Sequence, residues 1–135
     1  EQKLSNLLKD DGYSITAVRL EIFRQLYSFG LQTMSELVER CIDSDRASVY
    51  RGIQLFERLG IVRRVPQGFK YKLELSDMFL PHHHHIICSQ CGKHTEVEQS
   101  RLEKLLEDIA VSERYTLISH HIELVGVCAE CGLNS

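Results

Sequence analysis

The sequence predicts an α+β protein in two parts, a helical N-terminal domain closed by a β-ribbon and a smaller C-terminal α/β domain. Three observations predict it. Apolar residues recur at helical spacing up to Leu59 and then alternate with period two over residues 61–75. Two Cys-x-x-Cys pairs, Cys88/Cys91 and Cys128/Cys131, lie in the later part of the chain. Charge changes sign between the parts: residues 1–75 carry 12 Lys/Arg and 10 Asp/Glu, while residues 76–135 carry 4 and 9. At 135 residues and 43% hydrophobic, the chain suits one compact unit or two small ones and is too short for a large enzyme core.

The elements of the first part follow in order. Leu4, Leu7 and Leu8 share a helical face before Gly12, and a second helix starts after Thr16 with Val18, Ile22, Phe23 and Leu26 turned inward. Thr33-Met34-Ser35-Glu36 has the capping-box pattern and predicts a short helix to about Cys41. Ser44 or Asp45 caps a fourth helix whose buried stripe is Val49, Ile53, Phe56 and Leu59 and whose stop is Gly60. That leaves Arg46, Ser48, Tyr50, Arg51 and Gln54 facing mostly outward. Ile61–Val65 and Phe69–Leu75 then flank Pro66-Gln67-Gly68 as a two-stranded ribbon with Lys70, Lys72 and Glu74 on one face.

From Arg46 to Lys72 seven cations face the single acid Glu57. Scattered arginines usually mean a solvated helix face. A capped basic helix followed by a ribbon, however, describes a winged helix-turn-helix, in which the last helix enters the major groove of double-stranded DNA. Arg19 and Lys70 join Arg46, Ser48, Tyr50 and Arg51 as candidate DNA contacts.

The second part is read as a metal domain. Four thiolates in two Cys-x-x-Cys turns are what a closed tetrahedral zinc site requires. Structural zinc contributes about 10–16 kcal/mol of apparent binding energy, enough to hold a small core together. The expected bounds are 1–75 for the DNA-binding domain, 76–81 for a hinge and 82–135 for the metal domain. Strands are expected at Ile86–Cys88 and His94–Val97, an amphipathic helix through Leu102, Leu105, Leu106 and Ile109, and one or two strands over Tyr115–Val127. Reduced cysteine pairs and the lack of an apolar run of membrane-spanning length point to a cytoplasmic protein.

His82-His83-His84-His85 runs directly into Ile86-Ile87-Cys88, and His120-His121 repeats the arrangement later. On a strand, His82 and His84 would face one side and His83 and His85 the other, so one run can serve two ions. Glu74, Asp77, Glu96 and Glu103 are the carboxylates nearest in sequence. Imidazoles with a carboxylate suit zinc at four-coordination, and iron or manganese at six.

Ala47-Ser48-Val49-Tyr50-Arg51, the wing, the histidine run, Cys88-x-x-Cys91-Gly92-Lys93 and Cys128-x-x-Cys131, in this order, resemble the ferric uptake regulator family of metal-dependent repressors, including its zinc-uptake branch. The resemblance covers essentially the whole chain. It implies a homodimer on a palindromic operator, with structural Zn2+ and a regulatory Zn2+ or Fe2+/Mn2+. By the same resemblance Cys88, Cys91, Cys128 and Cys131 hold the structural zinc. His82, His84, Glu103 and His120 match the family's dimerisation-domain site, and Glu74, His83, His85 and Glu96 its hinge site. Tyr50 and Arg51 match its base-edge and phosphate contacts.

Departures bear on the metal. Iron-sensing members add a histidine just before the third helix, where this chain reads Gly30-Leu31-Gln32, and tend to have Asp where His84 stands. Zinc sensors often place a cysteine in the hinge, where this chain has Glu74. Peroxide sensors tend to have Asp in place of Glu96. Two other classes fit the sequence less well. A zinc hydrolase needs an open coordination position, which three histidines and a carboxylate would fill. A thiol-redox protein needs a single Cys-x-x-Cys at a helix start. The expected protein is a regulator, not an enzyme.

Overall fold

A computed structural model describes residues 1–67 and 69–133, so Gly68 of the expected ribbon turn lies outside the described residues. The chain divides into two compact units, Glu1–Leu80 and Pro81 onward. No helix among the described residues is long and apolar enough to cross a membrane.

The first unit runs α1 (Gln2–Asp10), α2 (Ala17–Phe29), α3 (Met34–Arg40), α4 (Arg46–Arg58), β1 (Val62–Gln67) and β2 (Lys70–Leu75). Each of the three later helices starts on a side-chain cap that satisfies an orphan backbone N–H. Thr16 accepts from Arg19 N at 3.2 Å, Thr33 from Glu36 N at 3.1 Å and Asp45 from Ser48 N at 3.2 Å. Ser44 does not cap; its hydroxyl donates to Glu21 at 2.8 Å. Gly60, at φ 74°, ends the turn after α4 in a conformation that L side chains rarely adopt.

Leu4, Leu8, Ile22, Leu26, Leu37, Val49, Phe56, Ile61, Leu73 and Leu75 form a closed core. Gly52 lets α4 approach α2 closely, since a Cβ there would lie 2.4 Å from Ile22 Cδ1. Cys41 belongs to this core as a small hydrophobe, and burial, reinforced by the charge of Glu21, pushes its thiol up to about 11.

β1 and β2 pair antiparallel from Val62↔Leu75 to Gln67↔Lys70. Gln32 and Leu73 exchange two backbone hydrogen bonds of 3.0 and 2.7 Å, which ties the α2–α3 link to β2. The ribbon departs from simple alternation in two places. Glu74, expected on the outer face, is buried and accepts from Arg63, its directly paired neighbour, at 2.7 Å. Phe69, expected to open the second strand, is fully exposed because it lies in the turn before β2. Residues 76–80 pack within this unit: Phe79 N donates to Ser76 O at 3.0 Å and the Phe79 ring meets Phe23 edge-on at 5.1 Å.

The second unit runs β3 (His84–Cys88), β4 (His94–Val97), α5 (Ser100–Ser112), β5 (Glu123–Gly126) and α6 (Ala129–Leu133). Its sheet has the order β4-β3-β5. β3 and β4 are antiparallel with His85 opposite Glu96, and β3 and β5 are parallel with His85 opposite Glu123. A parallel pair needs a long crossover, and the chain supplies it through α5.

Three expectations shift here. The alternation of Tyr115–Val127 yields only the four-residue β5, because the ladder extends no further than Glu123–Gly126 along the short β3. β3 starts at His84, so His82 and His83 precede the ladder. Cys131 lies within α6 rather than on a tight turn.

Candidate metal centres and nucleic-acid face

Cys88 closes β3, Cys91 follows on the turn, and Cys128 and Cys131 bracket the start of α6. Gly92, at φ 76°, bends the first knuckle, and its N–H donates to Cys88 O at 2.9 Å. The four sulfurs lie within 4.8 Å of one another, with Cys91 Sγ and Cys128 Sγ 3.8 Å apart. A tetrahedral zinc with Zn–S bonds of about 2.3 Å holds its sulfurs roughly 3.8 Å apart, so the cluster fits that ion.

The electrostatics agree with the geometry. The backbone N–H of Cys128, at 3.3 Å, and then that of Cys91 hold the Cys88 thiol down at about 6. Hydrogen bonding with Cys128 and then Cys91 pushes Cys131 up to about 12. Cys88 and Cys131 are thus driven in opposite directions, and a divalent cation at the centre of the four sulfurs would offset the repulsion between thiolates held so close together.

The second cluster is nitrogen-rich. His84 Nε2 lies 2.7 Å from Glu103 Oε1, His120 Nε2 2.8 Å from Oε2 and His82 Nε2 3.3 Å from Oε1. His82 and His120 approach Nε2 to Nε2 at 3.0 Å, and His120 and His84 at 3.3 Å. Donors on a tetrahedral ion with bonds of about 2.0–2.1 Å lie roughly 3.3 Å apart, so three imidazoles and one carboxylate converge at ligand spacing. Burial works against ionisation of Glu103. The hydrogen bond with His84 and the charges of His120 and His82 outweigh it and hold the carboxyl below its ordinary value.

Across β3 lies a third set. The donor atoms of His83, His85 and Glu96 fall within 4.8 Å of one another, with His83 Nε2 4.0 Å from Glu96 Oε1 and the two rings 4.8 Å apart. Pro81 O lies 2.9 Å from His83 Nδ1. If Nδ1 carries the proton, it donates there and leaves Nε2 free to ligate, the usual outer-sphere support of a metal-binding histidine. The period-two separation of His82/His84 from His83/His85 is therefore realised even though only half of the run is strand. Glu74 stands on β2 of the first unit in its ion pair with Arg63. Asp77 belongs to none of the three groups.

On the first unit, Arg19, Ser48 and Arg51 line one cleft together with Thr16, Val18 and Gly52. Arg51 donates to Ser48 Oγ at 3.2 Å, and Ser48 donates to the Asp45 cap at 2.6 Å. The Arg46 guanidinium donates to Tyr50 Oη at 3.2 Å and lies 5.3 Å from its ring centre. Lys70 is exposed at the start of β2. The basic footprint is smaller than the composition suggests, because Arg63 is engaged by Glu74 and Arg64 by Glu57.

Gln32 is a residue whose role the sequence did not disclose. Its side chain is fully buried, donates to Gln25 O at 3.2 Å and Gly30 O at 3.1 Å, and accepts from Arg40 at 2.7 Å. The stretch before α3 thus serves packing of the first unit.

The model of the ferric uptake regulator family matches residues 10–125. The chain is 32% identical to the ferric uptake regulation protein of Neisseria meningitidis serogroup C, covering 96% of this chain and 95% of that protein. Among solved structures it is similar to the Vibrio cholerae ferric uptake regulator, at 32% identity and a TM-score of 0.75, over 93% of this chain and 99% of that one. It is also similar to a zinc-bound manganese uptake regulator, at 30% identity and a TM-score of 0.64, over 93% and 98% of the two chains. The chain belongs to the ferric uptake regulator family of metal-dependent transcriptional repressors.

Proposed function

We propose that this repressor binds a palindromic operator as a homodimer and silences metal-uptake genes when a regulatory divalent ion is bound. The observation that carries the reading is the convergence of His82, His84 and His120 on both oxygens of Glu103, with His83, His85 and Glu96 gathered across the same strand. Cys88, Cys91, Cys128 and Cys131 would hold a structural zinc beside them. Bound at the His/Glu sets, a divalent cation supplies the positive charge that allows neutral imidazoles and a carboxylate to share one point.

Operator affinity then depends on metal by linkage. Only a difference in metal affinity between the DNA-competent and incompetent arrangements can shift their equilibrium. Tyr50 would read a base edge, Arg51 and Arg19 would hold phosphates flanking it, and Lys70 would meet the backbone from the ribbon. The dimer would form through apolar surface that the second unit leaves open. Leu105 and Ile109 on α5, Ile118, and Leu124 and Val125 on β5 are all exposed, and β5 is the outer strand of its sheet.

Ferrous iron is the favoured co-repressor, supported by the similarity to ferric uptake regulation proteins along nearly the whole chain. Zinc is the second reading, supported by three nitrogens and one carboxylate at tetrahedral spacing. The test is a metal titration of chelator-treated protein that retains its structural zinc, read by retardation of palindromic operator DNA. Restoration by ferrous ion in the micromolar range supports the first reading, and restoration by trace free zinc the second. Operator binding unaffected by either metal would sink both.

A further inference from the structure

His94 is the one histidine of this chain outside the runs at 82–85 and 120–121, and no role described so far uses it. It stands on β4 opposite Ile87, while Glu96, two residues on, stands opposite His85. Opposed residues of an antiparallel pair share a face, and side chains alternate along each strand. His85, Glu96 and His94 therefore project from one side of the sheet, the side on which His83 also gathers.

The distances are close to what one ion requires. The His85 and His94 rings stand edge to face with centres 6.1 Å apart, and the His83 and His85 rings are 4.8 Å apart. Two imidazoles on one ion, each bonded at about 2.0–2.1 Å, place their ring centres roughly 4.5–5.5 Å apart, so His83 and His85 stand at ligand spacing and the His94 ring needs a shift of about 1 Å to join them. Both ring nitrogens of His94 and Nε2 of His85 are shut off from solvent. A half-buried imidazole with both ring nitrogens shielded from solvent, on the sheet face that carries His85 and Glu96, is placed as a further donor. The first unit contains no histidine at all, and the Gln32 amide before α3 is committed to Gln25, Gly30 and Arg40.

We propose that His94 is a further ligand of the His83/His85/Glu96 site, giving the second unit two sets of three imidazoles and one carboxylate on opposite faces of β3. The inference rests on the reading of that set as a metal site. It carries a consequence for specificity: a third nitrogen donor from within the same unit shifts the site toward zinc or ferrous ion and away from the harder manganous ion.

The test uses the full chain with zinc kept in the cysteine site and cobaltous ion loaded into the rest. In proton NMR spectra recorded in water, each coordinated imidazole contributes one strongly shifted exchangeable N–H signal that disappears in deuterium oxide. Six signals are expected, three from each histidine set, and five would overturn the role of His94. His94→Gln should remove one signal and weaken cobalt binding at one of the two sites by about 10-fold or more, while thermal unfolding of the metal-free protein stays near wild type. His94→Asn repeats the measurement should the glutamine variant fold poorly, and the wild-type count decides if both do. His83→Gln serves as the reference. Signal loss with His83→Gln but none with His94→Gln would overturn the His94 assignment and leave the site standing. No loss with either would remove the site itself and the inference with it.

Discussion

The two units solve the problem of staying folded in different ways. The first buries sixteen hydrophobic residues in one cluster, including Phe56, Leu4, Leu8 and Ile61, and among the described residues no metal-ligand set lies wholly within it. In the second, Ile87, Cys88 and Ala110 are the buried hydrophobics among the described residues, and three consecutive histidines, His83, His84 and His85, take the interior places that aliphatic side chains would fill elsewhere. A hydrophobic core is self-sufficient, whereas an interior of imidazole, thiol and carboxylate needs cations to offset desolvation and mutual repulsion. Ion binding and folding are thus one process in the second unit and separate in the first. That is a physical basis for a sensor, because only the metal-dependent unit must respond to the ion.

Removing the structural zinc should give the largest effect. Structural zinc contributes about 10–16 kcal/mol, more than so small an apolar core can replace. Stripping it with a strong chelator under reducing conditions, or replacing Cys91 with Ser, should expose the chain after Leu80 to limited proteolysis and leave the helices of residues 1–80 protected. Far-UV circular dichroism should lose only the part of its helical signal due to α5 and α6. Full resistance of the second unit after zinc loss would break the comparison.

Phe56→Ala tests the other side. Phe56 is fully buried at the centre of the first unit, and truncating such a ring costs about 3–5 kcal/mol. The variant should unfold its first unit at lower denaturant concentration and lose DNA binding, while zinc content and cobalt spectra of the second unit remain. A parallel loss of zinc would mean that the two units fold as one.

Tyr50→Ala separates fold from recognition inside the first unit. Tyr50 is only half-buried, and its hydroxyl is bound by Arg46 rather than by a core group. The substitution should weaken specific operator binding by about 1–3 kcal/mol with little change on random DNA. Equal losses on both DNAs would assign Tyr50 to packing.

How far each unit was legible in the sequence follows the same division. Hydrophobic periodicity and caps are local signals, so α1 to α4, the ribbon and the caps Thr16 and Thr33 could be read directly, and the cap of α4 was narrowed to Ser44 or Asp45. The cysteine pairs and the alternation of the histidine run are local too. The partners of those histidines are not. Glu103 and His120 reach His84 from a helix and a loop far along the chain, and only the family resemblance connected them. His94 has no histidine two residues away to mark it, and its alignment with His85 depends on the β3/β4 register. Glu74 read as an outer-face residue because its partner Arg63 is set by the ribbon register. The alternation of Tyr115–Val127 overstated the strand, since a period-two pattern forms a ladder only where a neighbour runs beside it.

The smallest effect concerns the cap of α4. The Asp45 carboxylate accepts from the Ser48 hydroxyl at 2.6 Å and from its backbone N–H at 3.2 Å. The hydroxyl bond and then the backbone bond hold its pKa below the ordinary carboxylate value. A group whose pKa is depressed in the folded state stabilises that state fully above its unfolded pKa, about 3.9 for Asp, and loses the contribution as pH falls through the folded value. Asp45→Ala should therefore melt slightly below wild type at pH 7, and the gap should close as the pH drops below about 4. Because the cap lies in the unit that needs no metal, the gap should be the same with and without regulatory metal. A metal-dependent gap would show that ion binding reaches the start of α4, and the division between a sensing unit and an indifferent one would have to be redrawn there.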